Sequence, residues 1–285
     1  MRRPNLNWAL LIGSVLATGL FAAAPTPLEL KVMTYNLRYA SAQPPNAWPE
    51  RRPVMQALIT RLAPDVFGTQ EGLYGQLREF AAGLPAYAWI GLGRAGGSQD
   101  EFTAIFYRQD RFEPVAFDHF WLSDTPEVVG SITWGHQFRR MVTWVRFRER
   151  TTGREFYFWN THFDHEVETA RQKSAALIRD RIVALDPTVP LVLVGDFNCL
   201  AGRSRAYDIL TGEAGLSDTW QLAPQRQNED LNSFNGFKPG RHDGERIDWI
   251  LARPPVTVKQ AAIVSYDETG PYPSDHYPVT ATVRF

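Results

Sequence analysis

Short apolar stretches, separated by polar or amphipathic segments, run along most of the chain from Leu28 onward. Leu28–Tyr35 alternates apolar and polar residues, which predicts a strand with one face in a core. Val189–Val194 is a continuous apolar run, and such a run predicts a strand buried on both faces. Further strands are predicted at Val66–Thr69, Tyr87–Leu92, Phe102–Tyr107, Val115–Trp121, Val142–Phe147, Phe156–Asn160, Ile247–Leu251, Val256–Ser265 and Val279–Phe285.

Three amphipathic segments repeat their apolar residues at helical spacing. They are Glu50–Leu62, Leu73–Leu84 and Glu166–Leu185. In the third segment one face is predicted to contain Val167, Ala170, Ser174, Leu177 or Ile178, and Leu185. The helices fall between groups of strands, and no Pro/Gly-rich linker divides the chain. This order predicts a single-domain sandwich of the α/β or α+β class.

The first 24 residues have the layout of a secretory signal. Arg2 and Arg3 precede an apolar stretch that ends in small residues, and Ala22 and Ala24 fit an A-x-A cleavage site. An uncleaved N-terminal anchor is the alternative, because the apolar run approaches the lower limit of length for spanning a bilayer. We therefore expect an exported protein, periplasmic or secreted, whose folded domain covers residues 25–285.

Composition narrows the class of protein. The 285 residues include 30 Lys and Arg against 31 Asp and Glu, so the net charge is −1. Loss of residues 1–24 would remove two arginines and no acids, which leaves 28 basic and 31 acidic side chains and a net charge of −3. This balance argues against a protein that coats nucleic acid by charge alone. The single cysteine, Cys199, excludes an internal disulfide, so stability must come from the core.

Polar side chains stand where several predicted strands begin or end. Such residues project from a rigid sheet into a cleft. Carboxylates and amides suit a hard divalent cation, and imidazoles are left for proton transfer and phosphate contact. Taken singly, the same residues also fit turns and helix caps. The set comprises Asn36, Glu71, His162, Asp196, Asn198, Asp248, Asp275 and His276.

Six short segments follow one another along the chain: T-Y-N-L-R (34–38), T-Q-E (69–71), N-T-H (160–162), G-D-F-N (195–198), R-I-D-W-I (246–250) and S-D-H-Y-P-V (274–279). In this order they resemble the endonuclease/exonuclease/phosphatase superfamily. The group includes pancreatic-type deoxyribonuclease, neutral sphingomyelinases and inositol-polyphosphate 5-phosphatases. The resemblance covers residues 30–285 and implies a four-layer αββα sandwich of the deoxyribonuclease I type. It also implies a Mg²⁺-dependent hydrolase that cleaves a phosphoester, with Mn²⁺ as a substitute.

The resemblance also implies metal ligands in this sequence. Glu71 would be the principal ligand, with Asn36 close to it. Asp275 would join directly or through a metal-bound water. Magnesium needs only one or two carboxylates from a protein because it keeps several waters.

The remaining residues of the set would be catalytic if the resemblance holds. Asp196 and Asn198 would orient or activate the attacking water and hold the phosphate. His162 would donate a hydrogen bond to a phosphoryl oxygen, and Asp248 would fix the tautomer of a histidine. His276 would act as general base or contact the phosphate. Asp196 and His276 are both candidates for the group that takes the proton of water.

The substrate stays open at this stage. A nucleic acid, a lipid, an inositol phosphate or another small phosphoester would all suit the resemblance. A non-catalytic binding protein on the same scaffold is the alternative from a different class. We expect a monomer, and the sequence implies no protein partner.

Other features have structural explanations beside functional ones. The G-x-G-x-x-G match at 91–96 leads into a strand rather than a helix, so we interpret it as a flexible loop and not a dinucleotide site. Arg146, Arg148 and Arg150 alternate on one strand, which predicts a solvated face. Arg139 or Arg140 is a candidate for the phosphate cleft, and Arg171 is a further one. The polar segment 221–245 is predicted to form a loop over the cleft, in which Phe234, Asn235 and Phe237 either contact the substrate or anchor the loop.

Overall fold

Two β-sheets form the centre of the protein. The computed structural model describes residues 27–238, 242–266 and 271–285. Within these ranges the first sheet contains, from edge to edge, β10 (Arg226–Gln227), β12 (Thr257–Ile263), β13 (Val279–Arg284), β1 (Glu29–Asn36), β2 (Val66–Leu73), β4 (Glu101–Arg108) and β3 (Tyr87–Ile90). The second sheet contains β5 (Phe112–Trp121), β6 (Met141–Glu149), β7 (Glu155–His162), β8 (Leu191–Asp196), β11 (Asp248–Ala252) and β9 (Ser217–Asp218).

Helices cover the outer faces of both sheets. α1 (Trp48–Leu62) and α2 (Tyr74–Ala82) pack on the first sheet around Phe67 and Phe106. α3 (Glu168–Val183), α4 (Arg205–Asp208) and a π-helical turn (Ile209–Glu213) pack on the second. A short helix, α5 (Thr219–Leu222), places Trp220 in the core between the sheets. The order helix, sheet, sheet, helix confirms the predicted four-layer sandwich.

The core between the sheets consists of side chains from both inner faces. Val32 and Val66 from the first sheet meet Val194, Ile250 and other apolar residues of the second. All four are buried. Each sheet is therefore covered on both sides, which explains the apolar runs seen in the sequence.

The two halves of the sandwich repeat one strand–helix–strand unit. β1 and β2 run parallel with α1 between them, and β7 and β8 run parallel with α3 between them. The register pairs Asn36 with Gln70 in the first sheet and His162 with Asp196 in the second. β11 runs antiparallel to β8 and pairs Asp248 with Asp196. Polar residues from several strands therefore meet at one edge of the sandwich.

Close contact between the sheets at Gly68 fixes their spacing. A Cβ atom on Gly68 would lie 2.6 Å from Cγ of Asn160 and 2.6 Å from Cγ2 of Val194. Beside it, Gln70 Nε2 donates to Asn160 Oδ1 at 2.7 Å, and Asn160 Nδ2 donates to the carbonyl of Thr69 at 2.9 Å. This buried polar contact joins the sheets directly beneath the edge where the polar residues meet.

The sequence predicted most elements but misplaced some of their ends. β2 was predicted to end at Thr69, yet it continues to Leu73 through an irregularity in its pairing with β4. The predicted face of α3 is confirmed for Ala170, Ser174 and Ile178, but it was wrong at its two ends, because Val167 precedes the helix and Leu185 follows it. The buried side chains of α3 are Ala170, Ser174, Ala175, Ile178 and Ile182.

The proposed export segment, residues 1–24, lies outside the described residues. Its interpretation therefore stays a prediction. Within the described ranges, no helix combines the length and the apolar character that crossing a bilayer requires.

Candidate active site

A cleft of about 650 Å³ opens at the edge where the strand ends meet. Glu71 of the first sheet and His162 and Asp196 of the second line it, together with Asp275 and His276 from the segment before β13. Asn36 and Asp248 lie buried behind this wall. The structure thus brings all eight residues selected from the sequence to one place, since Asn198 also lines the cleft.

Asn36 links the two sheets through its side-chain amide. Its Nδ2 donates to Glu71 Oε1 at 3.0 Å and to Asp196 Oδ2 at 2.9 Å. Its Oδ1 accepts from the backbone N–H of Arg38 at 2.9 Å, which fixes the orientation of the amide. The nitrogen therefore faces both carboxylates.

Glu71 has a backbone conformation that is unusual for a side chain with a Cβ. Its φ of 63° lies in the left-handed region, where non-glycine residues are uncommon. The pairing of β2 with β4 shifts register between Thr69 and Gly72, and such irregularities redirect side chains. Burial opposes ionisation of Glu71, but the hydrogen bond from Asn36 and nearby positive charges outweigh it and lower the pKa of the carboxyl.

The guanidinium group of Arg38 lies near two carboxylates of the cleft, those of Glu71 and Asp275. Arg38 Nη1 lies 3.8 Å from Glu71 Oε2 and 3.7 Å from Asp275 Oδ2. Burial raises the pKa of Asp275, and the negative charge of Glu71 raises it further. Two carboxylates that repel each other are stabilised when a cation lies between them. All the donor atoms here are oxygen, so the pair fits a hard divalent cation such as Mg²⁺ or Mn²⁺.

A second buried group also has suitable atoms for a metal ion. Asp196, Asp248 and His276 each offer a ligand atom, and these atoms lie within 4.8 Å of one another. However, Asp248 already accepts the Nδ1–H of His276 through both oxygens, at 3.0 and 3.2 Å. This pair is satisfied without a metal, so Glu71 and Asp275 fit the cation better.

Asp248 fixes the protonation of His276. Both side chains are buried, and Nδ1 of His276 must carry a proton to donate to the carboxylate. Burial works against a charged imidazole, but the charges of Asp248 and Asp196 outweigh it and raise the pKa of His276. The Nε2 side of the ring therefore faces the cleft as part of an imidazolium.

Asp196 Oδ2 lies between two imidazoles. Nε2 of His162 is 3.5 Å away and Nε2 of His276 is 3.7 Å away. Oδ1 of the same carboxylate accepts from the backbone N–H of Asn198 at 3.0 Å. Burial raises the pKa of Asp196, and so does the neighbouring charge of Asp248.

The two imidazoles differ in the charge of their neighbours: His276 lies against carboxylates, whereas His162 lies against arginines. Arg94 Nη2 lies 2.6 Å from His162 Nδ1, and because arginine only donates, Nδ1 must accept. A neutral His162 therefore carries its proton on Nε2, which faces Asp196 and the cleft. Burial lowers the pKa of His162 well below its usual value, and the charges of Arg140 and Arg94 lower it further.

Arg94 is one of the cleft residues that sequence reasoning missed, and others are Arg38, Tyr39, Glu101, Phe138 and His165. It belongs to the G-x-G-x-x-G match, which we interpreted as a flexible loop. The segment is indeed a loop between strands, but Arg94 is almost fully buried and pairs with Glu101 at 2.8 Å. The only sign of Arg94 in the sequence is an arginine in the loop between two apolar strands. Arginines are common in such loops, so this sign does not indicate a site residue.

The other arginines are placed as follows. Arg140 is buried in the wall of the cleft, whereas Arg139 Nε donates to the carbonyl of Gly130 and does not line the cleft. Arg171 donates to the carbonyl of Asp164. The alternating arginines pair with acids on a partly exposed face, as predicted: Arg146 and Arg148 with Glu155, and Arg150 with Glu113.

The side chain of Asn198 is anchored to the backbone. Its Nδ2 donates to the carbonyl of Phe163 at 3.0 Å, and its φ of 49° is left-handed.

Phe234 packs edge-on against His276 with ring centroids 5.1 Å apart, and Phe237 lines the cleft. Asn235 instead joins its loop to the segment before Asp275, where its backbone N–H donates to the carbonyl of Asp275. Cys199 is buried, and burial raises its pKa to about 12.

Comparison with known proteins adds independent information. Residues 33–276 match the family model described as the endonuclease/exonuclease/phosphatase family. A protein of Acanthamoeba polyphaga mimivirus, called uncharacterized protein L388, is 30% identical over 161 residues, which are 53% of this chain and 59% of that protein. The aligned part thus spans little more than half the length of this curated relative.

Solved structures show the same likeness over nearly the whole chain. An endonuclease/exonuclease/phosphatase family protein from Bacteroides thetaiotaomicron superimposes with a TM-score of 0.85 and 34% identity, covering 91% of this chain and 99% of that one. A mannosyl-6-phosphatase from the same organism gives a TM-score of 0.83 and 35% identity, covering 90% and 100%. The TDP2 protein of D. rerio, solved with a single-strand DNA product, gives 0.68 at 18% identity, with 90% and 98% covered, and this supports the fold alone.

Proposed function

The chain belongs to the endonuclease/exonuclease/phosphatase family, and from this premise we propose that it hydrolyses a phosphoester with the help of a divalent cation, Mg²⁺ or Mn²⁺. Members of this family are hydrolases that act on phosphoesters. The observation that carries the proposal is the position of Asp196 Oδ2 within 3.7 Å of the Nε2 atoms of both His162 and His276. Asp196 can accept a proton from an attacking water. The charged His276 and the neutral His162 beside it can both donate to the phosphoryl oxygens.

The cation would be held by Glu71 and Asp275. Asn36 turns its nitrogen toward Glu71, so in our proposal it orients this carboxylate beside the cation rather than ligating through its oxygen. When bound, the cation supplies positive charge against the phosphoryl oxygens and so reduces the repulsion of an incoming nucleophile.

Hydrolysis then follows from the residues around Asp196. The oxygen of a water molecule attacks phosphorus, and one of its protons passes to Asp196. The raised pKa of this carboxyl makes it a better proton acceptor than an ordinary aspartate. The bond from phosphorus to the leaving oxygen breaks, that oxygen takes up a proton from solvent, and Asp196 then returns its own proton to solvent. His276 keeps the proton on Nδ1 that Asp248 accepts, so its role is to donate through Nε2 to a phosphoryl oxygen.

His162 and Asn198 complete this arrangement. The Nε2–H of neutral His162 donates to a phosphoryl oxygen without adding a second full positive charge. The backbone N–H of Asn198 orients Asp196 through Oδ1. Among the two candidates for the base, Asp196 is favoured because Asp248 holds His276 in its protonated form.

The leaving group faces the outer part of the cleft. Phe138, Phe237 and Tyr39 line it, and such rings stack on the faces of sugars and bases. The net charge of −1 disfavours a duplex with many phosphates. The name of the mannosyl-6-phosphatase, 35% identical to this chain, supports including phosphorylated sugars among the substrates tested.

The proposal is tested with one panel under one set of conditions. Purified protein is assayed with Mg²⁺ and with Mn²⁺ on plasmid DNA, sphingomyelin, inositol phosphates, phosphorylated sugars and nitrophenyl phosphates. Hydrolysis that Asp196→Asn abolishes and Asp186→Asn leaves unchanged would support it, because Asp186 is exposed and distant from the cleft. A panel without hydrolysis, combined with tight calorimetric binding of one compound, would favour the non-catalytic scaffold.

Export remains part of the proposal. The arginines and the apolar run of residues 1–24 support it. Fractionation of cells that express the full chain, compared with a version beginning at Pro25, tests it.

A further inference from the structure

Two arginines are buried side by side in the wall of the cleft next to His162. The exposed fraction is 2% for Arg94 and 3% for Arg140. Each also donates to the Nδ1 of a histidine: Arg94 to His162 at 2.6 Å and Arg140 to His165 at 3.0 Å. Arginine is almost never fully buried unless its charge is paired, so two neighbouring buried guanidinium groups need an explanation.

Their charges are unequally compensated. Arg94 Nη1 lies 2.8 Å from Glu101 Oε2, which is an ordinary ion pair. Arg140 has only a long contact, 3.7 Å from its Nε to Asp164 Oδ2. Burial lowers the pKa of Arg140 to about 10, and the charge of Arg94 adds to this effect. Asp164, Glu101 and Asp196 all act on Arg140 through their charges, but among the described residues none of them forms an ion pair with it shorter than 3.7 Å.

Several of their donors are also unused. Among the described residues, Nε of Arg94 and Nε and Nη1 of Arg140 are buried without a hydrogen-bond partner. Leaving a buried polar group unsatisfied costs about 1–3 kcal/mol, and more for a charged group. Both residues line the cleft, so their unused donors lie next to the space that a bound anion would occupy.

We propose that Arg94 and Arg140 form an anion subsite that takes a terminal phosphoryl oxygen, and that it selects phosphomonoesters over phosphodiesters. This rests on the function proposed above and specifies its substrate class. A phosphomonoester carries a charge of about −1.5 to −2 near neutral pH and has three terminal oxygens. A diester has a single negative charge and two terminal oxygens.

The remaining groups of the site already suffice for two oxygens. Glu71 and Asp275 would hold the cation, which would supply positive charge to one phosphoryl oxygen, and the Nε2–H groups of His276 and His162, which lie beside Asp196, would donate to another. The buried arginines add a third set of donors beside His162. Arginine donates to phosphate through two parallel N–H groups, which lysine cannot do. A diester has no third terminal oxygen that bears charge, so it cannot use the donors of the two arginines in the same way as a monoester.

The decisive experiment compares p-nitrophenyl phosphate with bis(p-nitrophenyl) phosphate under the same Mg²⁺ concentration. For the wild type we expect kcat/KM to be at least about tenfold higher for the monoester. In Arg140→Met we expect a loss of about 100-fold on the monoester and a loss of under about tenfold on the diester. Arg139→Gln is the matched control, because this neighbour bonds Gly130 outside the cleft, and both rates should stay unchanged.

Binding of inorganic phosphate provides a second measurement. Calorimetry in the presence of Mg²⁺ should show at least about tenfold weaker binding to Arg140→Met, with partial recovery in Arg140→Lys, which keeps the charge but not the paired donors. Equal losses on both nitrophenyl substrates in a folded variant, a wild type that prefers the diester, or unchanged phosphate binding would each overturn the proposal. If the wild type hydrolyses neither ester, the proposed function fails, and phosphate binding still decides the subsite.

Discussion

Asn36 Nδ2 lies 2.9 Å from Asp196 Oδ2, although the two residues belong to different sheets and are 160 positions apart in sequence. The same nitrogen lies 3.0 Å from Glu71 Oε1, the carboxylate that we propose for the cation. One amide thus holds the proposed proton acceptor and the proposed metal ligand at a fixed separation. Asn36 is fully buried, so water from the solvent does not reach this position. If the Asn36 amide is lost, the structure must change before water can take over its hydrogen bonds.

Replacement of Asn36 by aspartate should disable the site. The new carboxylate would face Glu71 and Asp196 as a third negative charge, so the pKa values of all three would rise. We expect kcat to fall by at least about 100-fold. Asn228→Asp serves as control, because Asn228 is exposed and does not line the cleft; the variant loses only the bond from Nδ2 to the carbonyl of Ile263 and should retain full activity. Wild-type activity in Asn36→Asp would contradict the assignment of Asn36 as the residue that orients the carboxylates.

Removal of the cation should abolish hydrolysis reversibly. We expect chelation to stop the reaction and Mg²⁺ or Mn²⁺ to restore it, since Glu71 and Asp275 offer only oxygen ligands. Glu71→Gln should require about tenfold or more metal for half-maximal rate, which a metal titration of the rate measures. Glu79→Gln, which loses an exposed pair with Arg52, is the control. Full activity of chelated protein would refute the metal requirement.

Asp248→Asn should remove both the charge of His276 and the contact that fixes the orientation of its ring. The amide preserves the size of the side chain but cannot enforce a proton on Nδ1 of His276, so the ring loses its charge and its orientation. The analogous change in a serine protease triad lowers kcat by about 10⁴-fold, and we expect a loss of about 10³–10⁴-fold here. The measurement is kcat at saturating substrate, with circular dichroism to verify the fold. Asp243→Asn should be harmless because Asp243 is exposed.

Arg94→Met should change the protonation of His162. The charge of Arg94 is one of the causes that lower the pKa of His162, so its removal should raise that pKa toward the usual value of about 6.5. As pH falls below the raised pKa, more of the ring becomes charged in the variant than in the wild type. ¹⁵N chemical shifts of the two ring nitrogens, followed from pH 8 to pH 5, report both the tautomer and the pKa. An unchanged titration would show that Arg94 does not control this histidine.

The parts of the site that lie next to predicted strands, including Asn198, Asp275 and His276, could be predicted from sequence, while Arg94 in the loop before β4 could not. Asp196 stands directly after an apolar run, and its position at the sheet edge follows from strand geometry. Arg94 lies in a glycine-rich loop whose path depends on the contact of its side chain with His162, and that contact joins positions 68 residues apart. The extension of β2 to Leu73 was missed for a similar reason, because the irregularity at Glu71 depends on pairing with β4. Local patterns do not contain such long-range constraints.

The contact at Gly68 should make this glycine essential for stability. In Gly68→Ala the new methyl group would lie 2.6 Å from Asn160 and Val194, closer than Cβ contacts in folded proteins. Both neighbours are buried, and Asn160 is held by bonds to Gln70 and Thr69, so relief requires the sheets to separate.

Overpacking of this kind costs about 1–3 kcal/mol. At about 2–4 °C per kcal/mol, the thermal midpoint should drop by roughly 2–12 °C. Gly75→Ala is the matched control, since a Cβ there meets nothing within 4 Å and alanine favours the exposed helix α2. Calorimetric unfolding should therefore show a lower midpoint for Gly68→Ala and an equal or higher one for Gly75→Ala, and equal midpoints would mean that the sheets tolerate wider spacing.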